Sequence, residues 1–185
     1  MPETVTLFSG EAFDLQTPDP HAIHLCDIAL GLGNICRFGG QARFWWSVAD
    51  HALLVRDLVV EHGYAELAFA ALHHDSHEAY LGDIPSGLKR LLGDAYRQLR
   101  EGVDAAIGQA LHVDPVLFEH PLVVEADRAA LYIEAAELLP TGTRGLLTPP
   151  PEFMSIEPRG LISPGPRRSR ATFLETHEQE RTLLV

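Results

Sequence analysis

Residues 64–80 restrict the fold more than any other part of the chain. Tyr64 to Tyr80 carries Leu67, Phe69, Ala70, Ala71 and Leu72 and is apolar nearly all round, yet it closes on adjacent His74 and Asp75. A helix without a polar face has to be central and buried. An ionised aspartate at the end of such a helix is costly unless it is paired or bound to a metal. The segment therefore asks for helices around it and for partners at its His-Asp end.

The neighbouring segments supply those helices. From Ser47 on, Val48, His51, Ala52, Val55, Leu58 and Val59 recur at three- and four-residue spacing, a one-face helical pattern. Ser47 is a good N-cap with Asp50 three positions later, and Gly63 is a natural stop. Asp27 opens a short helical stretch, and Asn34 to Arg43 reads as a loop around Gly39 and Gly40. After Gly82, Pro85 precedes a short helix through Leu92. Longer helices are expected over Asp94 to Leu111 and Val123 to Leu138. Residues 1–26 look like an ordered but irregular lead-in, 140–166 hold seven of the thirteen prolines and read as an extended loop, and 167–183 as a last helix. The expected fold is an all-α bundle of about six or seven helices in one domain spanning 1–185.

Charge narrows the partners. The formal net charge is −12 and the bases form only one tight run, Arg167, Arg168 and Arg170, which reads as a solvated helix face. A long nucleic acid needs a basic footprint, so no such partner is expected. A small anion remains compatible, provided a metal and one or two arginines invert the local field. No stretch approaches the length of a membrane span. Met1 to Gly10 has no basic run, so no secretory leader is expected. Cys26 and Cys36 read as a reduced cytoplasmic pair.

His51, His74, Asp75 and Asp127 fall on three of the expected helices, and Asp127 sits among Val123, Val124, Ala126, Ala129 and Leu131. Taken singly, each has an ordinary reading: a histidine bonded in the core, Asp75 in a salt bridge, Asp127 paired with Arg128. Together they offer two imidazoles and two carboxylates, a set that suits Mn, Fe, Co, Ni or Zn better than Ca.

The runs Arg37-Phe38, Ser47-Val48-Ala49-Asp50-His51, Ala71 through His74-Asp75 and Glu78 to Gly82-Asp83-Ile84-Pro85, and Glu125-Ala126-Asp127 resemble the HD-domain superfamily of phosphohydrolases, over roughly residues 27–139. More narrowly, they are similar to its bacterial 5′-deoxynucleotidase-like branch. The resemblance implies an HD-domain helical bundle with one divalent transition metal per chain (Mn, Co, Fe, Ni or Zn, with Mg admissible) held by His51, His74, Asp75 and Asp127. It also implies a catalytic role for Glu78, phosphate binding by Arg37 and a sugar contact from Asp83, and it suggests a homodimer. Gln41 departs from the pattern: close relatives place a histidine there, and Gln41 cannot serve as a proton donor.

A divalent ion lowers the pKa of a bound water and polarises a phosphoryl oxygen. Glu78, one turn beyond Asp75, is placed to act as general base or to orient water. Phe38, Trp45 and Trp46 offer rings for a base or for closing the pocket, and Lys89 reads as an added phosphate charge or as a surface lysine. His77 reads as an acid–base group or as a solvent-facing side chain. The expected activity is hydrolysis of (deoxy)nucleoside 5′-monophosphates to nucleoside and phosphate. The alternatives are a (deoxy)nucleoside triphosphate triphosphohydrolase and a non-catalytic nucleotide-binding sensor module. Two-metal phosphodiesterase chemistry needs further histidines between His74 and Asp127, where only His77, His112 and His120 lie.

Overall fold

The computed structural model describes residues 3–140 and 147–183, so residues 141–146 of the proline-rich stretch lie outside the described part. Helices form where cap and pattern agree. Helix α1 is Leu25–Asn34 and α2 is Val48–Glu61. The Ser47 side chain accepts from Asp50 N and the Asp50 carboxylate accepts from Ser47 N, a reciprocal capping box that starts α2 one turn ahead of His51. Further along come α3 (Ala68–His73), α4 (Glu78–Leu81), α5 (Ser86–Leu92), α6 (Asp94–Leu111), α7 (Pro121–Leu138) and α8 (Pro166–Leu183). Apart from a small hairpin of β1 (Thr4–Thr6) and β2 (Ala12–Asp14), paired antiparallel with Val5 opposite Phe13, the described residues are helical or irregular.

Two details correct the expectations. The lead-in is ordered, as expected, but it is not wholly irregular: β1 and β2 pair within it, and Phe13 on β2 is fully buried and packs on Tyr80 with ring centroids 4.4 Å apart. The helix expected over Tyr64 to Tyr80 is broken at its chemically important end. His74 and His77 keep right-handed helical dihedrals, but the bonds there run to the third residue back: Ser76 N to His73 O (3.0 Å), Glu78 N to Asp75 O (2.9 Å) and Ala79 N to Ser76 O (3.2 Å). This tighter winding stacks side chains three apart directly over one another, which brings Glu78 over Asp75.

The core forms two clusters that share α2 and α3. Val48, Ala49, Ala52 and Leu72 face a cluster with Ile28, Leu32, Ile107 and Phe173. Val55, Leu58, Val59 and Ala71 face another with Ala126, Ala130, Ile133 and Phe153. Packed on both sides, α2 and α3 are fixed relative to α7, and the His-Asp end of α3 opens between them. Helix α8 leans on α1, α2 and α3 and is tied in by His177 Nδ1, 2.8 Å from His73 Nε2. Both cysteines are free, and no helix among the described residues is long and apolar enough to cross a membrane.

Gly31 sets how closely α1 approaches α4. A Cβ there would lie 2.8 Å from Ala79 Cβ and 3.0 Å from Ala79 Cα, against backbone that cannot swing aside. Gly31→Ala is expected to destabilise the protein. Overpacking costs about 1–3 kcal/mol, more than the roughly 1 kcal/mol of helix propensity gained. Urea unfolding checks this, and an unchanged or raised midpoint would contradict it.

Candidate metal centre

His51 from α2, His74 and Asp75 from the turn after α3, and Asp127 from α7 meet at one point. His51 Nε2 lies 3.1 Å from Asp127 Oδ1 and 3.6 Å from Asp75 Oδ2, and His74 Nε2 lies 3.3 Å from Asp75 Oδ2. Donor atoms of His51, His74 and Asp127 all fall within 4.8 Å of one another. Ligands on a common ion at roughly 2.1 Å stand about 3–4 Å apart, so only a small contraction is needed.

The imidazoles are prepared for a metal. His51 Nδ1 is 2.8 Å from Glu134 Oε1, and His74 Nδ1 is 2.8 Å from the Ala71 carbonyl. With an acceptor at each Nδ1, that nitrogen keeps its proton, and Nε2 is the atom turned to the cluster, where a metal would take the place of a second proton. Both Nε2 atoms are buried and, despite the nearby carboxylates, lack a hydrogen bond of adequate geometry. Such atoms rarely stay unsatisfied in a folded protein. This donor set fits a divalent cation.

Electrostatics points the same way. Burial and Arg37 push the His51 imidazolium down, but the carboxylates of Glu134 and Asp127 outweigh them and hold it up at about 10. Burial pushes Asp75 up, while His74, His51 and His77 hold it well below the usual carboxylate range. Glu134, fully buried, is brought down to about 2 by His51 and Arg37 against burial. The cluster attracts positive charge, as proton or as metal.

Beside the cluster lies a cavity of about 340 Å³. Of the residues expected to act on substrate, Arg37, Phe38, Asp83 and Lys89 line it, together with Asp75, Glu78 and Asp127. Arg37 is held by Glu134 (3.1 Å) and faces Asp83 (3.7 Å). Phe38 adopts a left-handed conformation (φ 58°), uncommon for a bulky side chain, with its ring under the Arg37 guanidinium at 5.6 Å. Burial and Asp75 raise Glu78 to about 7 against the pull of Lys89. Lys89 Nζ donates to Glu78 Oε1 at 2.8 Å, so Lys89 belongs to the cavity wall and not to a solvated surface.

Other placements differ from expectation. Trp45 is not among the cavity's lining residues. The indole that supports the site is Trp46, whose Nε1 donates to Glu134 Oε1 at 2.8 Å. Gln41 is exposed and closes the Arg37 turn through its own N–H to the Phe38 carbonyl. His77 is buried, with Nδ1 3.1 Å from Asp104 Oδ1, and does not face solvent. Sequence reasoning missed Glu134 altogether. Its signal was a carboxylate seven residues after Asp127, on the same helical face, in a segment otherwise apolar there.

No family model matches the chain. It is 43% identical over 113 residues to the uncharacterized protein YfdR of Escherichia coli, a match spanning 61% of this chain and 61% of that one. It is 32% identical to the uncharacterized protein RCAP_rcc00048 of Rhodobacter capsulatus over an alignment of 172 residues, covering 79% of this chain and 87% of the relative.

Proposed function

The chain belongs to the family of the Rhodobacter capsulatus protein RCAP_rcc00048, and we propose that it is an HD-type, metal-dependent phosphohydrolase of small nucleotides, acting on (deoxy)nucleoside 5′-monophosphates. The observation that carries this reading is the pair of bare, buried Nε2 atoms of His51 and His74, converging with Asp75 and Asp127 beside a cavity that also holds Arg37, Glu78 and Lys89.

When bound, the metal supplies a Lewis acid for a phosphoryl oxygen and acidifies a water. The chain's own groups do the rest. Arg37 and Lys89 offer guanidinium and ammonium donors to the phosphate oxygens. Lys89 now donates to Glu78, so a phosphate that draws Lys89 away releases that carboxylate to accept a proton from the attacking water. Asp83 presents an acceptor to a sugar hydroxyl and Phe38 a ring face to the base. The cavity sits near the lower end of small-ligand pockets, roughly 300–1,000 Å³. Two basic side chains on its wall balance one phosphate better than three, which favours monophosphates over the triphosphohydrolase alternative. The acidic chain, with net charge −12, gives no basic track for a polynucleotide.

The test is product analysis after incubating Mn- or Co-loaded protein with nucleoside mono-, di- and triphosphates, beside Asp75→Ala and Glu78→Ala. Inorganic phosphate from monophosphates, lost in both variants, is the expected result. Intact triphosphate from a triphosphate substrate would move the assignment to the triphosphohydrolase. No turnover with any metal, together with retained nucleotide binding, would replace the enzyme with a sensor module.

A further inference from the structure

Helix α5 carries Lys89 on a poorly anchored support. None of its seven residues is buried, and Leu88, Leu91 and Leu92 are 46%, 85% and 45% exposed. The helix leans on α6, but without buried apolar side chains its packing cannot fix the direction of a flexible four-carbon ammonium. Lys89 is fixed instead by what its head touches. Nζ donates to Glu78 Oε1 at 2.8 Å and lies 5.6 Å from the ring centre of Tyr96. Tyr96 is firmly set: it stands in the first turn of α6, 7% exposed, on the helix whose Val103 and Ile107 enter the core. Its hydroxyl has no stabilising task there, because Oη is buried without a hydrogen-bond partner. A buried hydroxyl in that state is a net cost, and a phenylalanine would fill the same space without it. Tyr96 does not line the cavity, so Oη is not a substrate contact. Burial raises the Tyr96 phenol above its ordinary value while Lys89 pulls it down. The ammonium and the hydroxyl therefore already act on each other, short of a well-formed bond.

We propose that Tyr96 is a positioning residue for Lys89: its hydroxyl accepts from the ammonium when Lys89 leaves Glu78 for the phosphate of the substrate. This rests on the reading of Lys89 as a phosphate ligand and of Glu78 as the base that it releases. An ammonium has three N–H donors and no acceptor. At rest one of them is spent on Glu78 Oε1. Turning to phosphate takes from Lys89 a charge-assisted bond in a largely buried place, where an ammonium is costly to leave unpaired. Oη replaces that acceptor, and the ring holds the cation near its face. The remaining donors then serve the phosphate oxygens, and Glu78 is left free. The hydroxyl is thus idle in the resting protein and engaged in the phosphate-bound one, so its worth shows in binding and not in stability.

The experiment is a calorimetric titration of inorganic phosphate into the full chain loaded with one equivalent of Mn(II), beside urea unfolding of the same proteins. The set is wild type, Tyr96→Phe, Lys89→Met and the double variant. Tyr96→Phe is expected to weaken phosphate about tenfold, the lower end for a hydrogen bond to a charged group. Its urea midpoint is expected to equal or exceed that of wild type. Lys89→Met is expected to weaken phosphate at least as much, and adding Tyr96→Phe to it is expected to change nothing further. Phosphate affinity unchanged in Tyr96→Phe, whatever its urea midpoint, overturns the positioning role and leaves Lys89 as the phosphate ligand. Affinity lost equally with and without Lys89 does the same, because the hydroxyl would then act independently of the ammonium. Phosphate bound as tightly by Lys89→Met as by wild type, or not bound by wild type up to millimolar concentration, overturns the reading on which the proposal rests.

Discussion

Glu134→Ala is expected to cost the protein roughly 3–5 kcal/mol of stability and to weaken metal binding roughly 10–100-fold. Glu134 is fully buried and accepts from Trp46 Nε1, Arg37 Nη2 and His51 Nδ1 at 2.8, 3.1 and 2.8 Å. Truncation leaves the Arg37 guanidinium with Asp83, at 3.7 Å, as its remaining ion-pair partner among the described residues, and it takes from the His51 ring the Nδ1 partner that turns Nε2 toward the metal centre. The cost is that of an uncompensated buried charge, which exceeds the net worth of the pair that was broken. Glu134→Gln keeps the volume and one acceptor, so its loss should be smaller in both readouts. The pH dependence has a definite sign. Glu134 is lowered from 4.5 to about 2, so its contribution is present above the ordinary carboxylate range and is lost as pH falls from about 4.5 toward 2. Glu134→Gln should flatten that acid limb. Urea midpoints across pH and a Mn(II) titration check the set. An alanine variant within about 1 kcal/mol of wild type and with unaltered metal affinity would make Glu134 a bystander.

That residue also marks how far the sequence is legible. Signals local to one element carried over into the structure. The Ser47-Asp50 capping box starts α2 where expected, and the apolar character of 64–80 corresponds to a buried α3. His51 and His74 are buried on α2 and at the end of α3, and Asp75 and Asp127 reach the same point from half-buried positions in the next turn and on α7. Glu134 escaped because its role is defined by partners from two other segments, Arg37 with Trp46 and His51. A periodic pattern reports which face of a helix is buried, not which polar groups are waiting there. Trp45 and Trp46 stand level in the sequence for the same reason. Adjacent aromatics cannot be ranked until the fold decides which indole meets Glu134. The break after His73 was hidden because the tighter winding keeps helical dihedrals and changes only the hydrogen-bond partner. That change moves Glu78 over Asp75, so the least legible local feature is the one that arranges the chemistry.

If this arrangement serves hydrolysis, Glu78→Gln should lower turnover roughly 10²–10⁴-fold, the range for a lost general base, with the substrate KM little changed. The variant is isosteric and leaves His51, His74, Asp75 and Asp127 intact, so Mn(II) should bind as in wild type. Glu78 must be ionised to accept a proton. Burial and Asp75 raise it to about 7 in the protein without metal, against the pull of Lys89. A cation on Asp75 cancels much of that repulsion and draws the carboxylate down. The wild-type rate should therefore rise with pH along an acid limb whose midpoint lies at or below 7, and the small residual rate of Glu78→Gln should lack that limb. Lys89→Gln removes the opposing ammonium and should move the limb to higher pH, because the lysine helps to keep Glu78 ionised. The three profiles can be measured by phosphate release at saturating metal. Equal acid limbs in wild type and Glu78→Gln would assign the titrating base elsewhere. Unimpaired turnover in Glu78→Gln would remove Glu78 from the chemistry and leave it as the carboxylate that anchors Lys89.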